Sequence, residues 1–370
     1  MSLKINIDAG NHDREFCPIT FSLSKKQLVE KGIESFVLHD EEGTEVPYQT
    51  VDCGEQIQVA LLIEHLEKGK QVSYKLISGK PNPDMKDGVE FNQHSNKVDI
   101  DISGEYFSSY VYDKQYAKPY LGPIELSEGN DFTRLDFDIK EHPHHRSIWV
   151  AIGDVNGVDF WNEPAGVYGK QHHQSLSELN SGAIFGSLTT KNVWTNFKDT
   201  PIIDEERTFT FYNTPSDRRI IDVKVVFYAR YGQVEFGATK EAGPLGIRMS
   251  EKLKADNGGT MVNSYGGIGE AECWGRQAHW CDYYGESNDQ LLGIAAFDNP
   301  GNMDFPAHWH IRDYGLMAPN NFYFLGGKLL KPNDVVEYQY RLFFHSGDTQ
   351  ESGVEQQYHN YVNPPKVTIE

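Results

Sequence analysis

Alternation of apolar and polar side chains with a period of two runs through this chain and leaves it few folds to choose from. Lys97-Val98-Asp99-Ile100-Asp101-Ile102, Arg207-Thr208-Phe209-Thr210-Phe211-Tyr212 and Glu337-Tyr338-Gln339-Tyr340-Arg341-Leu342-Phe343-Phe344 carry it, as do Tyr106–Tyr112 and Ile220–Phe227. Successive strand residues point to opposite faces, so such runs are strands with one face on a core. About ten to fifteen of them over roughly 260 residues suit a large antiparallel two-sheet sandwich better than a small barrel. The 20 Tyr, 20 Phe and 34 Gly fit strands and tight turns, and the expected fold class is all-β.

Before this region, Ser35–Leu38, Ile57–Leu61 and Val72–Leu76 are short apolar stretches separated by charged turns such as Asp40-Glu41-Glu42-Gly43, the pattern of a small N-terminal β-sandwich. Ser24–Gly32 is the best short helix, with a Ser N-cap and a Gly past its end. Gly79–Gly88 is dense in Pro, Gly and charge and breaks both periodicities. The expected organisation is a small β domain over 1–80 and a large sandwich over 81–370.

With 34 Lys+Arg against 54 Asp+Glu, the formal charge of −20 repels phosphate backbones, so nucleic acid is not an expected partner. No run approaches the roughly 18–20 apolar residues of a membrane span. Met1-Ser2-Leu3-Lys4 carries no apolar leader, so the reading is a soluble protein, cytoplasmic as written, or exported if a leader has been removed. The four cysteines include no C-x-x-C pair and read as buried thiols, with a Cys273–Cys281 bridge as the option for an exported protein.

Two separated segments repeat His-x-His-x-Arg: His142-Pro143-His144-His145-Arg146 and His308-Trp309-His310-Ile311-Arg312. In a strand, His308, His310 and Arg312 share one face; His142, His144 and Arg146 do the same if Pro143 sits at an edge or bulge. Imidazole exchanges protons near neutral pH and guanidinium holds oxygen pairs through parallel hydrogen bonds, so such a face suits a polyhydroxylated or acidic ligand. The plainer reading is that these are strand histidines bonded to their neighbours. Asp159, Trp161 and Glu163 stand at alternate positions and offer two carboxylates beside an indole, as a sugar site needs; their plainer reading is an Asn-Gly turn with a core Trp. Lys240 and Glu241 end a strand before Gly243-Pro244, which makes Glu241 the first choice for a base, against simple surface exposure. Glu270, Glu272 and Trp274 follow a glycine cluster that lacks the context of a phosphate loop, and His172-His173 is a weaker candidate.

These residues point to a carbohydrate-active enzyme of lyase, hydrolase or epimerase type acting on a small sugar or sugar acid. Glu241 or Asp159 is the expected base and His144 or His310 the expected proton donor. Arg146 and Arg312 clamp substrate oxygens, and His142, His145, Trp161, Glu163, His308 and Trp274 line the site. No cofactor is fixed by the sequence, and a divalent metal is an open option. One rival is a metal-dependent oxygenase or hydrolase in which His144, His308 and His310 bind zinc, manganese or iron, although the nearby arginines oppose a cation. The other rival is a non-catalytic glycan-binding protein.

The chain also resembles a bacterial family of unknown function that carries a PmoA-like, methane-oxygenase label. The matching segments are Lys118-Pro119-Tyr120, His142–Arg146, Gly153–Trp161, Thr239-Lys240-Glu241, His308–Leu316 and His345-Ser346-Gly347-Asp348, spread over most of the chain after about residue 90. Its strand pattern, with the Leu330-Lys331-Pro332-Asn333-Asp334 turn before a long strand, is similar to β-supersandwich enzymes of the galactose-mutarotase type. That likeness implies a sugar bound on a concave sheet, worked on by a carboxylate and a histidine.

Overall fold

The alternating runs form strands, and the strands assemble into two eight-stranded antiparallel sheets. The structure, a computed structural model, describes residues 2–81, 88–126, 130–135 and 141–370. The first large sheet has the order Trp309–Arg312, Leu316–Pro319, Ala242–Arg248, Ile148–Ile152, Tyr120–Leu121, Glu105–Val111, Lys97–Ile102, Val89–Gln93. The second runs Lys170–Asn180, Phe185–Thr195, Pro201–Tyr212, Arg218–Tyr228, Val335–Ser346, Gln290–Asp298, Trp280–Ser287, Thr260–Asn263.

One continuous apolar core lies between the sheets. Val98, Ile100, Val150 and Ile247 enter it from the first, and Leu188, Phe209, Val223 and Phe344 from the second. Aromatic rings interlock across the gap edge to face: Phe107 meets Phe344 at 6.0 Å and 82°, and Phe132 meets Phe344 at 5.5 Å and 75°. The all-β sandwich expected from the alternation is the architecture found.

Inside this core sits an ion pair with no exposure on either side chain. Arg207 donates to Glu205 through Nε at 2.6 Å and Nη2 at 2.9 Å, and Trp194 Nε1 donates to the same carboxylate at 2.7 Å. Arg207 Nη2 also reaches Gln171 Oε1 at 3.2 Å, and Gln171 Nε2 donates to the Val150 carbonyl of the first sheet at 2.7 Å. Gln171 N is bonded to the Ala117 carbonyl, and Arg207 Nη1 reaches the Pro119 carbonyl at 3.4 Å. The network therefore ties the sheets together and anchors both neighbours of Lys118.

The N-terminal region forms two smaller sheets, ordered Lys366–Ile369, Ser2–Asp8, Gln71–Ser78, Phe36–His39 and Arg14–Ser24, Gln56–Leu66, Gln49–Cys53. Leu3, Ile5, Ile19, Phe21, Leu61 and Leu76 form their shared core. The last strand of the chain completes the first of these sheets by pairing with Ser2–Asp8, a contact with no local sequence signal. The helix Lys25–Glu30 follows Ser24, and Gly32 at φ +69° ends it, as Gly does past a helix. Of the expected boundary, residues 82–87 lie outside the described residues.

Two expectations need correction. All four cysteines are free, so Cys273 and Cys281 form no bridge, and Cys53 is exposed because it ends a strand at the edge of the three-stranded sheet. Among the described residues no helix is long and apolar enough to cross a membrane.

Glu205→Gln leaves the Arg207 cation buried without a counter-charge. It is expected to cost roughly 3–5 kcal/mol in urea unfolding, and the double change Glu205→Leu/Arg207→Met to recover most of that loss. A loss under about 1 kcal/mol for the single change would mean that the pair is not what holds the two sheets together.

Candidate active site

The first large sheet is two-faced. Trp309 and Ile311 enter the main core, so the alternate residues His310 and Arg312 stand on the opposite face. The ladder extends that face sideways: Arg312 is opposite Leu316, which is opposite Arg248, and His310 is opposite Ala318. Tyr120, Trp149, Ala151, Trp161, Leu316 and Ala318 form a second apolar cluster there, separate from the core. Trp149 lies flat over its neighbour because Gly246 has no Cβ; one would approach the indole to 2.6 Å. A sheet with apolar residues on its outer face needs a cover, and the loops at 141–147 and 159–163 supply it.

In the first loop, Pro143 has no N–H to give a ladder and His142 adopts φ +46°, so the segment turns instead of forming the expected strand. Ser147 at φ +50° and Glu163 at φ +53° are left-handed too, a cluster of strained non-glycine residues such as functional sites hold. The turn packs its rings together. His145 stacks on Trp149 at 4.9 Å, and His142 stacks on His145 at 4.9 Å and on Tyr314 at 4.7 Å. Tyr314, from the turn after Arg312, also lies against the guanidiniums of Arg248 at 4.7 Å and Arg312 at 5.6 Å. The two sequence-distant His-x-His-x-Arg segments thus meet through Tyr314.

His145 is buried between two obligate donors, Trp161 Nε1 at 3.1 Å from Nε2 and Arg248 Nη1 at 3.2 Å from Nδ1. A neutral imidazole accepts at only one nitrogen, and an imidazolium at neither. Burial, with His144 and Arg248 adding to it, holds its pKa well below the ordinary imidazole range. Arg248 and Arg134 converge on Glu141, through Arg248 Nη2 at 2.5 Å and Arg134 Nη1 at 3.0 Å.

Lys118, Glu163 and Arg146 form a second charged group. Arg146 grips Glu163 with two parallel bonds of 2.7 and 3.0 Å, and Lys118 Nζ reaches Glu163 Oε1 at 2.5 Å and the Trp161 carbonyl at 3.0 Å. Burial pulls the Lys118 pKa down to about 8 against the opposing pull of Glu163. Burial also favours neutral Glu163, but Lys118 and Arg146 outweigh it and hold its pKa at about 2. His144, next to this group, has a buried Nε2 without a hydrogen-bond partner among the described residues, and burial followed by the Lys118 charge lowers its pKa to about 3.

His310 is 3 % exposed, and among the described residues neither ring nitrogen makes a well-formed hydrogen bond, although the Lys240 backbone lies near enough to favour its protonated form. Burial lowers its pKa to about 4; Glu241 pulls upward and Arg312 downward. Glu241 is partly exposed and pairs with Lys240 Nζ at 3.0 Å. It stands just before the strand Ala242–Arg248, which runs straight through Gly243-Pro244 where a turn was expected. Arg312 forms an ion pair with Glu270, its Nε 3.0 Å from the carboxylate but not at hydrogen-bonding geometry, and its side chain is 30 % exposed.

The remaining candidates fall elsewhere or into supporting places. Asp159 braces a turn: Oδ1 accepts from the backbone N–H groups of Trp161 and Asn162, and Oδ2 from Asn162 Nδ2. Residues 159–163 are thus not a strand, and the expected alternation does not operate there. Trp161 is buried under the loop. His308 stacks on Phe324 at 4.5 Å, and Trp274 meets Phe324 at 5.8 Å. His172 and His173 bond to Thr195 and Thr190 within the second sheet. Among the described residues no three His, Cys, Asp or Glu side chains are grouped to hold a metal ion. Sequence reasoning missed Lys118, Glu141, Arg134, Arg248 and Tyr314. Lys118 and Tyr314 lie inside the segments that carried the family resemblance, whereas Arg248 shows only as a polar residue in an apolar strand. The expected donor role of His144 or His310 meets an obstacle, because desolvation keeps both rings neutral at pH 7.

Residues 97–359 match the model of a family described as "Family of unknown function (DUF6807)". That description carries no methane-oxygenase label, so the label expected from the sequence is withdrawn. Among solved structures, galactose 1-epimerase from Lactobacillus acidophilus NCFM aligns at a TM-score of 0.28 and 8 % identity, covering 70 % of this chain and 98 % of that one. No curated protein matches the chain. By the extent of the family match, the chain belongs to the family of unknown function DUF6807.

Proposed function

We propose that the outer face of the first large sheet binds a sugar acid and moves a proton on it, as an epimerase or lyase does. The observation that carries this reading is His310: a neutral imidazole, almost wholly buried, with no well-formed hydrogen bond among the described residues beyond a weak approach to the Lys240 backbone. A buried polar group without a partner costs about 1–3 kcal/mol, a cost that a substrate hydroxyl would remove. A neutral ring accepts a proton, so His310 is assigned as the base, and the Glu241 carboxylate beside it stabilises the imidazolium that forms. Arg312 keeps its terminal amino groups for a carboxylate or hydroxyl pair and meets the negative charge that develops on the substrate.

Glycoside hydrolysis fits less well. It needs two opposed carboxyl groups, one with a raised pKa. Asp159 is spent on its turn, and Glu163 is held ionised by Lys118 and Arg146. Lys118, Glu163 and Arg146 are assigned as positioning groups that fix the covering loops.

In D2O, NMR of substrate with the enzyme is expected to show loss of the C–H signal next to the carboxylate or the anomeric carbon. A panel of uronic acids is the first set of substrates to try. His310→Gln lowers that exchange by roughly 10²–10⁴-fold with the fold intact, and Arg312→Ala raises KM more than it lowers kcat. Exchange that survives in His310→Gln would sink the assignment.

Activity also has a pH signature. The base works only when unprotonated, so kcat/KM holds from neutral pH down to about 5 and falls as pH drops through about 4, not through the 6.5 of an ordinary histidine. A pH–rate profile breaking near 6.5 would contradict the buried-base reading.

A further inference from the structure

We infer that the aromatic ledge beside His310 is a second sugar-binding subsite, so that the substrate is at least a disaccharide acid bound across both positions; this rests on the sugar-acid reading above. The face that carries His310 continues to His308, because the Asn320 N–H bonds to the His308 carbonyl and prolongs the ladder. Two strand residues span about 6.8 Å, so the next residue on this face lies roughly one pyranose ring away. There Phe324 is 36 % and Tyr323 45 % exposed, and Phe324 lies against Gly275, where a Cβ would come within 2.8 Å of its ring. Trp274 and His308 flank Phe324 at 5.8 and 4.5 Å.

Polar atoms at the rim of this ledge distinguish a sugar from an apolar partner. The Asn321 amide is oriented by its Nδ2, which donates to the Asp304 carbonyl at 2.8 Å, so its Oδ1 is an acceptor. That Oδ1 takes the His308 backbone N–H at 2.9 Å and faces His308 Nδ1 at 3.0 Å, so the ring proton sits on Nδ1 and Nε2 is an acceptor. Trp274 Nε1 is a donor with no partner among the described residues and is closed to solvent at the foot of the ledge, so a ligand meets it only after a side-chain shift. One unpaired N–H and one imidazole acceptor at the edges of flat rings match a pyranose, which presents C–H groups on its face and hydroxyls around its rim. A protein partner of the same area would be expected to cover Leu325 and Leu329 as well, which are about half exposed and carry no such polar groups.

The test compares galacturonic acid with digalacturonic acid by calorimetry and follows the Trp274 indole N–H by 1H–15N NMR. Wild-type protein binds the dimer at least tenfold more tightly, and only the dimer shifts the Trp274 signal. Phe324→Ala, an exposed change, abolishes that preference and leaves galacturonic acid binding unchanged. Trp274→Phe weakens the dimer by roughly three- to tenfold, the worth of one hydrogen bond. Equal affinities for monomer and dimer, or a preference that survives Phe324→Ala, overturn the second subsite while the His310 reading stands. Failure of both acids to bind overturns the two together. Tight dimer binding through Trp274 without deuterium exchange leaves the subsite and removes the proton-transfer reading.

Discussion

Desolvation governs this molecule's polar face. A strand that sends Trp309 and Ile311 into the main core must send His310 and Arg312 the other way, and here that other way is not open water. The outer face is itself covered, by Trp161 and two loops, so its imidazoles hold protons less readily than they do in water. His144, His145 and His310 are all driven toward the neutral form, mainly by burial. Glu163 stays an anion despite its burial because Lys118 and Arg146 grip it.

The cover depends in turn on the core. The Arg207–Glu205 pair lies between the sheets, yet through Gln171 and the Pro119 carbonyl it anchors the chain on both sides of Lys118. Lys118 then fixes Glu163 and the Trp161 carbonyl, and Trp161 donates to His145. A chain of hydrogen bonds thus runs from the interior of the sandwich to the imidazole cluster, each link a charged or donor group with few alternative partners.

Much of the architecture was legible because strand alternation is local. Lys97–Ile102 or Ile220–Phe227 announces a strand without reference to anything else, and Trp309–Arg312 alternates between core and outer face for the same reason. The same rule failed at His142–Arg146 and Asp159–Glu163. At the first, Pro143 and the left-handed His142 make a turn, and at the second the Asp159 side chain bonds to its own backbone, which removes the period of two. Lys118 and Arg248 went unnoticed as site groups because the carboxylates they pair with, Glu163 and Glu141, lie far from them in sequence.

By itself the amino-acid order determined the fold class, the strand runs and the alternation over Trp309–Arg312, all of which follow from side-chain period and turn chemistry within a few residues. Tertiary structure decided the rest. It completed the four-stranded N-terminal sheet with the last strand of the chain, brought Tyr314 between two distant guanidiniums, and stripped water from His310. Charge state and convergence belong to packing because a pKa reports the surroundings of a side chain, and those surroundings are assembled from segments far apart in the chain, as with Lys118 and Glu163 or His145 and Arg248.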